Sequence, residues 1–407
     1  MTNKAKFNLS ISILGILTLL GLIALGYQLI NGLGATGMSN VVSWAFYIIM
    51  FMFMVGLSAG GLIVSSSATV FNIPSFKVVA KPATILSTVC IVLATIFILV
   101  DLGRPERMFN LFIHGQFQSP LMWDVVVIFL YLAINIVYLY LMTRKNTSEK
   151  VMKILASIAL PVAILVHSVT AWIFGLQIAR AGWYSALMAP LFVASALDSG
   201  LALLLIVLVL LKKFKVFYVE DKLISTLAGL LVTFVAVDAY LVFSEVLTMA
   251  YPQEESTMLI LNEMLSGSMA PFFWAEIILG FVIPLAILLF KKNRQNIGLV
   301  IFSSAMVIIG VFCKRVWLVL TSFVYPNVSG APGVTLGQYT PSQDPSTYNS
   351  IWAMIGQYSP TLIEWTIVIG GLSFGILLFM ALSRLIIEKS EDSKETEKQT
   401  KTQTQTV

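Results

Sequence analysis

Charge is scarce in this sequence, and histidine and cysteine are scarcer still. Asp, Glu, Lys and Arg make up 11% of the 407 residues while 58% are hydrophobic, against about 25% charged in a soluble domain. That balance excludes a water-soluble core. The only histidines are His114 and His167, and the only cysteines Cys90 and Cys313. An iron–sulfur cluster draws on about four cysteines, and a bis-histidine haem needs a matched pair. His114 falls in a predicted loop and His167 in a predicted helix, so no haem, no iron–sulfur cluster and no other metal site is expected on this chain. Both cysteines lie in apolar runs, where they pack as small hydrophobes rather than forming a disulfide scaffold.

What the sequence does have is long apolar runs. A helix that crosses a bilayer needs roughly 20 apolar residues. Ten such segments are predicted near 9–31, 41–71, 79–101, 121–143, 152–179, 186–212, 222–250, 270–290, 296–325 and 362–386. The fold class is therefore all-α, a polytopic membrane protein. The first run follows Lys4 and Lys6 but is too long for a signal-peptide core and has no small-residue cleavage site after it, so it reads as a retained helix. With a cytoplasmic N-terminus, 20 of the 25 Lys and Arg fall on cytoplasmic segments, leaving Arg104, Arg107 and Arg180 outside and Lys314 and Arg315 within a span. The positive-inside rule thus predicts ten helices in a cytoplasmic (inner) membrane with both termini cytoplasmic.

The chain divides into a transmembrane domain, 1–387, and a Lys/Glu/Thr/Gln-rich tail, 388–407, expected to be disordered. An outer loop from about 326 to 361 carries one charge, Asp344, and is long enough to suggest a partner's docking surface. The spans also hint at a repeat with a four-helix period. Pro120 to Trp123 opens the fourth and Pro271 to Trp274 the eighth, and small-residue runs Ser58–Leu62 and Leu197–Leu201 mark the second and sixth. An even period gives both copies one orientation, hence two parallel bundles, about 41–179 and about 186–325, flanked by the first and last helices.

Ionisable residues inside spans cost about 2.5–3.5 kcal/mol each and therefore face bundle interiors and partners. Span five carries His167, span six Asp198, span seven Asp238 and Glu245, and span nine Lys314 and Arg315; Asp124, Glu276 and Glu364 lie nearer the outer edge. Asp238 and Glu245 are two turns apart on one stripe. Such carboxylates could form a proton path or simply neutralise the two cations, and His167 could be a satisfied hydrogen-bonding residue or a base for quinol protons. After span three, Asp101-Leu102-Gly103-Arg104-Pro105-Glu106-Arg107 forms a fixed turn. It reads either as an exposed turn or as a head-group site beneath the outer surface.

The Asp101–Pro105 turn, the Ser119–Pro120 to Trp123 helix start and the Gly60–Gly61 segment resemble the NrfD/polysulfide-reductase membrane-subunit family in its ten-helix form. Ala179 to Tyr184 is a looser match, because members often carry a proline after the arginine. The resemblance implies a quinone-binding subunit (menaquinone or ubiquinone) that exchanges electrons with a ferredoxin-like iron–sulfur subunit and a molybdopterin enzyme at the outer face. Carried onto this chain, it implies a quinone pocket at Asp101, Arg104, Asp124 and His167, with Asp124 or His167 taking the proton. A proton route would use Asp198, Asp238, Glu245, Lys314 and Arg315. Parallel repeats with buried charges also describe secondary transporters, the rival reading.

Overall fold

Prolines and polar caps set where the helices begin. In the computed structural model, which describes residues 3–144, 147–325 and 356–388, ten helices are long and apolar enough to cross a membrane. They are α1 Asn8–Asn31, α2 Phe46–Val70, α3 Ala80–Asp101, α4 Pro120–Thr143, α5 Glu149–Gly175, α6 Met188–Lys213, α7 Asp221–Ala250, α8 Ala270–Leu288, α9 Ile297–Val324 and α10 Leu362–Ile387. No strand occurs among the described residues. The ten predicted spans are all present, with edges displaced by a few residues. Pro120 and Pro271 occupy first turns, where a missing N–H costs nothing. Asn296 caps α9 by accepting from Gly298 N at 3.0 Å, and Thr361 with Glu364 forms a capping box on α10. The tail beyond Glu388 and the loop from 326 to 355, with Asp344, lie outside the described residues.

All ten helices alternate between two faces. One, here the lysine face, carries Lys77, Lys81, Arg144, Lys150, Lys212, Lys222 and Lys291; the other, the turn face, carries the 102–119 and 176–187 connections. Helices α2 to α5 touch in the order α2–α3, α3–α4, α4–α5, α5–α2, and α6 to α9 touch in the same cyclic order. The two sets meet chiefly where α2 lies against α6. Outside them, α1 and α10 form a pair that leans on α3, and α1 turns Ile16, Leu19, Leu22 and Ile23 outward, as a lipid-facing helix should.

Lipid tails are as apolar as leucine, so helices in a bilayer associate through close packing more than through burial. The α2–α6 contact shows how close. A Cβ on Gly200 would come within 2.5 Å of Gly60 Cα, a separation no side chain tolerates. Gly21 and Gly370 bring α1 and α10 together in the same way. Gly200→Leu is therefore expected to push the two sets apart and to destabilise the chain by about 3 kcal/mol, the upper end of ordinary overpacking. A lowered melting temperature in detergent would report it, whereas Gly26→Leu, at a position with open space around it, should melt as the parent does.

Two helices depart from α geometry, α10 in a π turn at its very end, Arg384–Glu388, and α8 within its span. Residues Glu276–Val282 of α8 form a π turn, a feature that often re-aims a side chain at a functional position. Here it accompanies the burial of Glu276 against α9.

Candidate functional site

Helical spacing puts His167, Thr170 and Phe174 of α5 on one inward stripe, and all three are buried. Thr170 donates its hydroxyl to Asp124 Oδ1 of α4 at 2.6 Å. Phe174 meets Trp44 edge-on at 5.7 Å and Trp183 at 5.0 Å, while Trp44 stacks on Trp183 at 5.9 Å. The indole of Trp183 is held by Leu318 O of α9 at 2.8 Å. Arg180 lies over Phe323 at 4.2 Å and donates to Ser322 O, and burial pulls its guanidinium below the usual range. The result is a wall of aromatic rings at the turn face, with a histidine and a carboxylate beneath it.

His167 Nε2 is enclosed and finds no hydrogen-bonding partner. Nearby, Arg315 of α9 acts on it electrostatically. This guanidinium donates to Ser195 Oγ at 2.6 Å and sits over the Phe192 ring at 4.2 Å, yet its Nε and Nη1 are unpartnered. Neither oxygen of Asp198 receives a side-chain hydrogen bond, although it lies within electrostatic reach of Asp238, Lys314 and Arg315. Unmet buried polar atoms each cost about 1–3 kcal/mol, and His167, Arg315 and Asp198 all carry them.

Beyond Arg315 the charges are paired. Lys314 Nζ donates to Asp238 Oδ1 at 2.9 Å and Oδ2 at 3.1 Å, and reaches Glu276 Oε1 at 3.4 Å. Trp317 holds the other Glu276 oxygen at 2.6 Å. Glu245 stands apart, accepting from Ser185 Oγ at 2.7 Å. Counting along each helix at 1.5 Å per residue, every one of these groups lies about 6–18 Å below the turn face. In the lysine-side half of α2–α5 the bonded polar groups are hydroxyls and one amide, Asn135, which donates to Tyr131 O at 2.9 Å. Tyr131, Ser58 and Ser87 bond one another at 2.9–3.1 Å, with Ser65–Thr84 and Thr69–Tyr138 further along.

The residues carried over to a quinone pocket fall into two places. Asp124 and His167 both neighbour Thr170, the first through its hydrogen bond and the second one turn away on α5. Asp101 ends α3 with one oxygen enclosed and partnerless, near Tyr47 and Glu364, and Arg104 is exposed beside a groove of about 640 Å³ lined by Leu29, Leu33, Leu102 and Leu121. Behind that groove Gln28 bridges Tyr47 Oη at 2.5 Å and Val100 O at 3.0 Å, and Glu364 accepts from Tyr358 at 2.5 Å and Gly37 N at 2.8 Å. Burial first, then Glu364, pushes the Tyr358 phenol well up, keeping it a donor. Among the described residues no group of three or more His, Cys, Asp or Glu is placed to hold a metal; His114 is exposed at the end of a short helix. Trp44, Trp183 and the hydroxyl series escape a sequence reading centred on charge. Their only signal is spacing: Ser58 and Ser65 repeat at seven, as do Tyr131 and Tyr138.

A sequence description of the polysulphide reductase NrfD family matches residues 34–327. The chain belongs to that family. The matched region spans α2 to α9 and leaves α1 and α10 outside it. Among its relatives, a putative membrane subunit of dimethyl sulfoxide reductase from Halobacterium salinarum is 35% identical, covering 91% of this chain and 89% of its own. An Hdr-like menaquinol oxidoreductase integral membrane subunit of Archaeoglobus fulgidus is 30% identical over 90% of each, and a selenate reductase subunit from Mesobacillus selenatarsenatis is 28% identical over 92% and 93%. This NrfD chain is thus an all-α, multi-pass relative of reductase membrane subunits.

Proposed function

We propose that this NrfD chain oxidises quinol, reversibly in principle, as the membrane subunit of a respiratory oxidoreductase. Two electrons leave one at a time for the cluster of an iron–sulfur partner, and a molybdopterin enzyme consumes them. The observation that carries this reading is His167 Nε2, enclosed and unpartnered on α5, two helical turns below Phe174, which packs with Trp44 and Trp183. A quinone head group is a flat ring with an oxygen at each end. It fits a place offering ring faces to stack on, an imidazole nitrogen and a carboxylate.

Quinol oxidation yields two protons and two electrons. His167 takes one proton at Nε2, and Asp124, oriented by Thr170, takes another. A neutral imidazole with a free nitrogen can take that role, because its lone pair is not already used in a hydrogen bond. The positive Arg315 beside His167 favours release of the proton it has just accepted. Asp198 and the Lys314–Asp238–Glu276 group carry it onward through the second helix set, and the hydroxyl series offers a separate route toward the lysine face. With two cysteines and two histidines in the whole sequence, the electrons go to a partner. The relatives named as reductase membrane subunits and as a menaquinol oxidoreductase subunit support this, the latter name making menaquinone a fitting carrier.

Purification from native membranes tests the reading directly. The chain is expected to bring with it a subunit bearing iron–sulfur clusters, and added menaquinol should reduce those clusters on mixing. Purified chain that moves a solute across vesicles with no redox partner, or clusters that menaquinol leaves oxidised, would instead support a transporter.

A further inference from the structure

A second groove lies on the lysine face, far from His167. It has a volume of about 520 Å³ and is bounded by the start of α7, the α8–α9 connection and Phe76 from the α2–α3 connection. Two cations enter it, Lys291 and Arg294, and three hydroxyls line it, those of Ser225, Thr226 and Thr233. No carboxylate lines it. Lys291 has no acidic partner among the described residues.

Arg294 is set in place rather than dangling. Its Nη2 donates to Leu289 O at 3.1 Å, its Nε is enclosed without a partner, and its Nη1 lies against Gly229, where a Cβ would approach within 2.7 Å. The glycine clears room for the guanidinium on the surface of α7. Thr226 and Thr233 spend their protons on backbone carbonyls of their own helix, leaving the hydroxyl of Ser225, the guanidinium and the ammonium facing the groove as donors.

The geometry points to a binding site for the phosphodiester of an anionic phospholipid. A planar guanidinium and a lysine at head-group depth, with hydroxyls and an apolar wall beneath them, match a phosphate carrying acyl chains. The lysine face is also the one that the positive-inside distribution assigns to the anionic leaflet. The cations here thus act as ligands and not only as topology signals.

The test uses the full chain with its co-purifying subunits in nanodiscs of phosphatidylglycerol and phosphatidylcholine in equal parts. Lipid retained after detergent extraction is counted by native mass spectrometry. The parent is expected to retain phosphatidylglycerol preferentially, and Lys291→Ala/Arg294→Ala to lose the preference by roughly thirtyfold. Gly229→Leu keeps both charges but displaces the guanidinium and should lose part of it. Lys150→Ala/Lys153→Ala, two exposed lysines elsewhere on the same face, should leave the preference intact and separates a site from bulk charge. Equal retention of both lipids by the parent, or parental preference in the double variant, would overturn the assignment. So would displacement of phosphatidylglycerol by inorganic phosphate alone, which would make the groove a free-anion site.

Discussion

His167→Gln and Asp124→Asn should each lower quinol-dependent reduction of the iron–sulfur partner by at least about a hundredfold, the lower bound for losing a positioned proton acceptor. Both substitutions keep shape and remove basicity. Asp124→Asn retains an oxygen for Thr170, and Gln at 167 fills an enclosed place with a polar group, so assembly should survive. Thr170→Val removes the hydrogen bond that orients Asp124, together with a bond to Val166 O within its own helix, and should cost about tenfold, in keeping with a group that positions the acceptor. Assay of the intact complex with a soluble reductant that bypasses quinol separates the cases. That bypass activity should be parental in all three variants. Full quinol turnover in both His167→Gln and Asp124→Asn would remove the proposed site.

The architecture was open to sequence reading because bilayer thickness sets a length that few other constraints imitate. Ten runs of the right length are ten helices, and charge alternation cannot be satisfied by nine. The interior site was only half legible. His167, Asp198, Lys314 and Arg315 announce themselves, since ionisable groups in apolar runs are rare. Their grouping does not, because it depends on rotation between helices that share no sequence proximity: His167 of α5 comes within electrostatic reach of Arg315 of α9 beside the α2–α6 joint made possible by Gly60 and Gly200. The Asp101–Arg104 turn illustrates the converse. Its four-residue compactness suggests one pocket with Asp124, but Asp101 ends α3 beside Tyr47 and Glu364. The aromatic wall was invisible for a different reason. Trp44 lies at the edge of the predicted second span and Trp183 in a connection, places where tryptophan is ordinary interfacial furniture, and only the fold stacks them.

Lys314 poses the question of whether the paired charges are static or conducting, and a double substitution answers it. Lys314→Met leaves Asp238 and Glu276 buried together without their shared cation, and breaking a buried pair by removing one partner costs about 3–5 kcal/mol. The single variant is expected to be poorly folded and uninformative about function. Lys314→Met/Asp238→Leu removes both the cation and its closest carboxylate. Glu276 then keeps its bond from Trp317 and is neutral once it takes up a proton, so stability should return to within about 1 kcal/mol of the parent, as when apolar residues replace a buried pair. If the pair only neutralises itself, quinol turnover and its linked proton uptake and release return with the fold. A relay requires groups that change protonation, and two apolar side chains cannot. The expected result is therefore a stable protein, normal in thermal melting and in partner assembly, whose quinol-driven proton movement measured in vesicles stays at least about tenfold below the parent. Recovery of proton movement together with stability would assign Lys314 and Asp238 to architecture alone and confine the chemistry to His167 and Asp124.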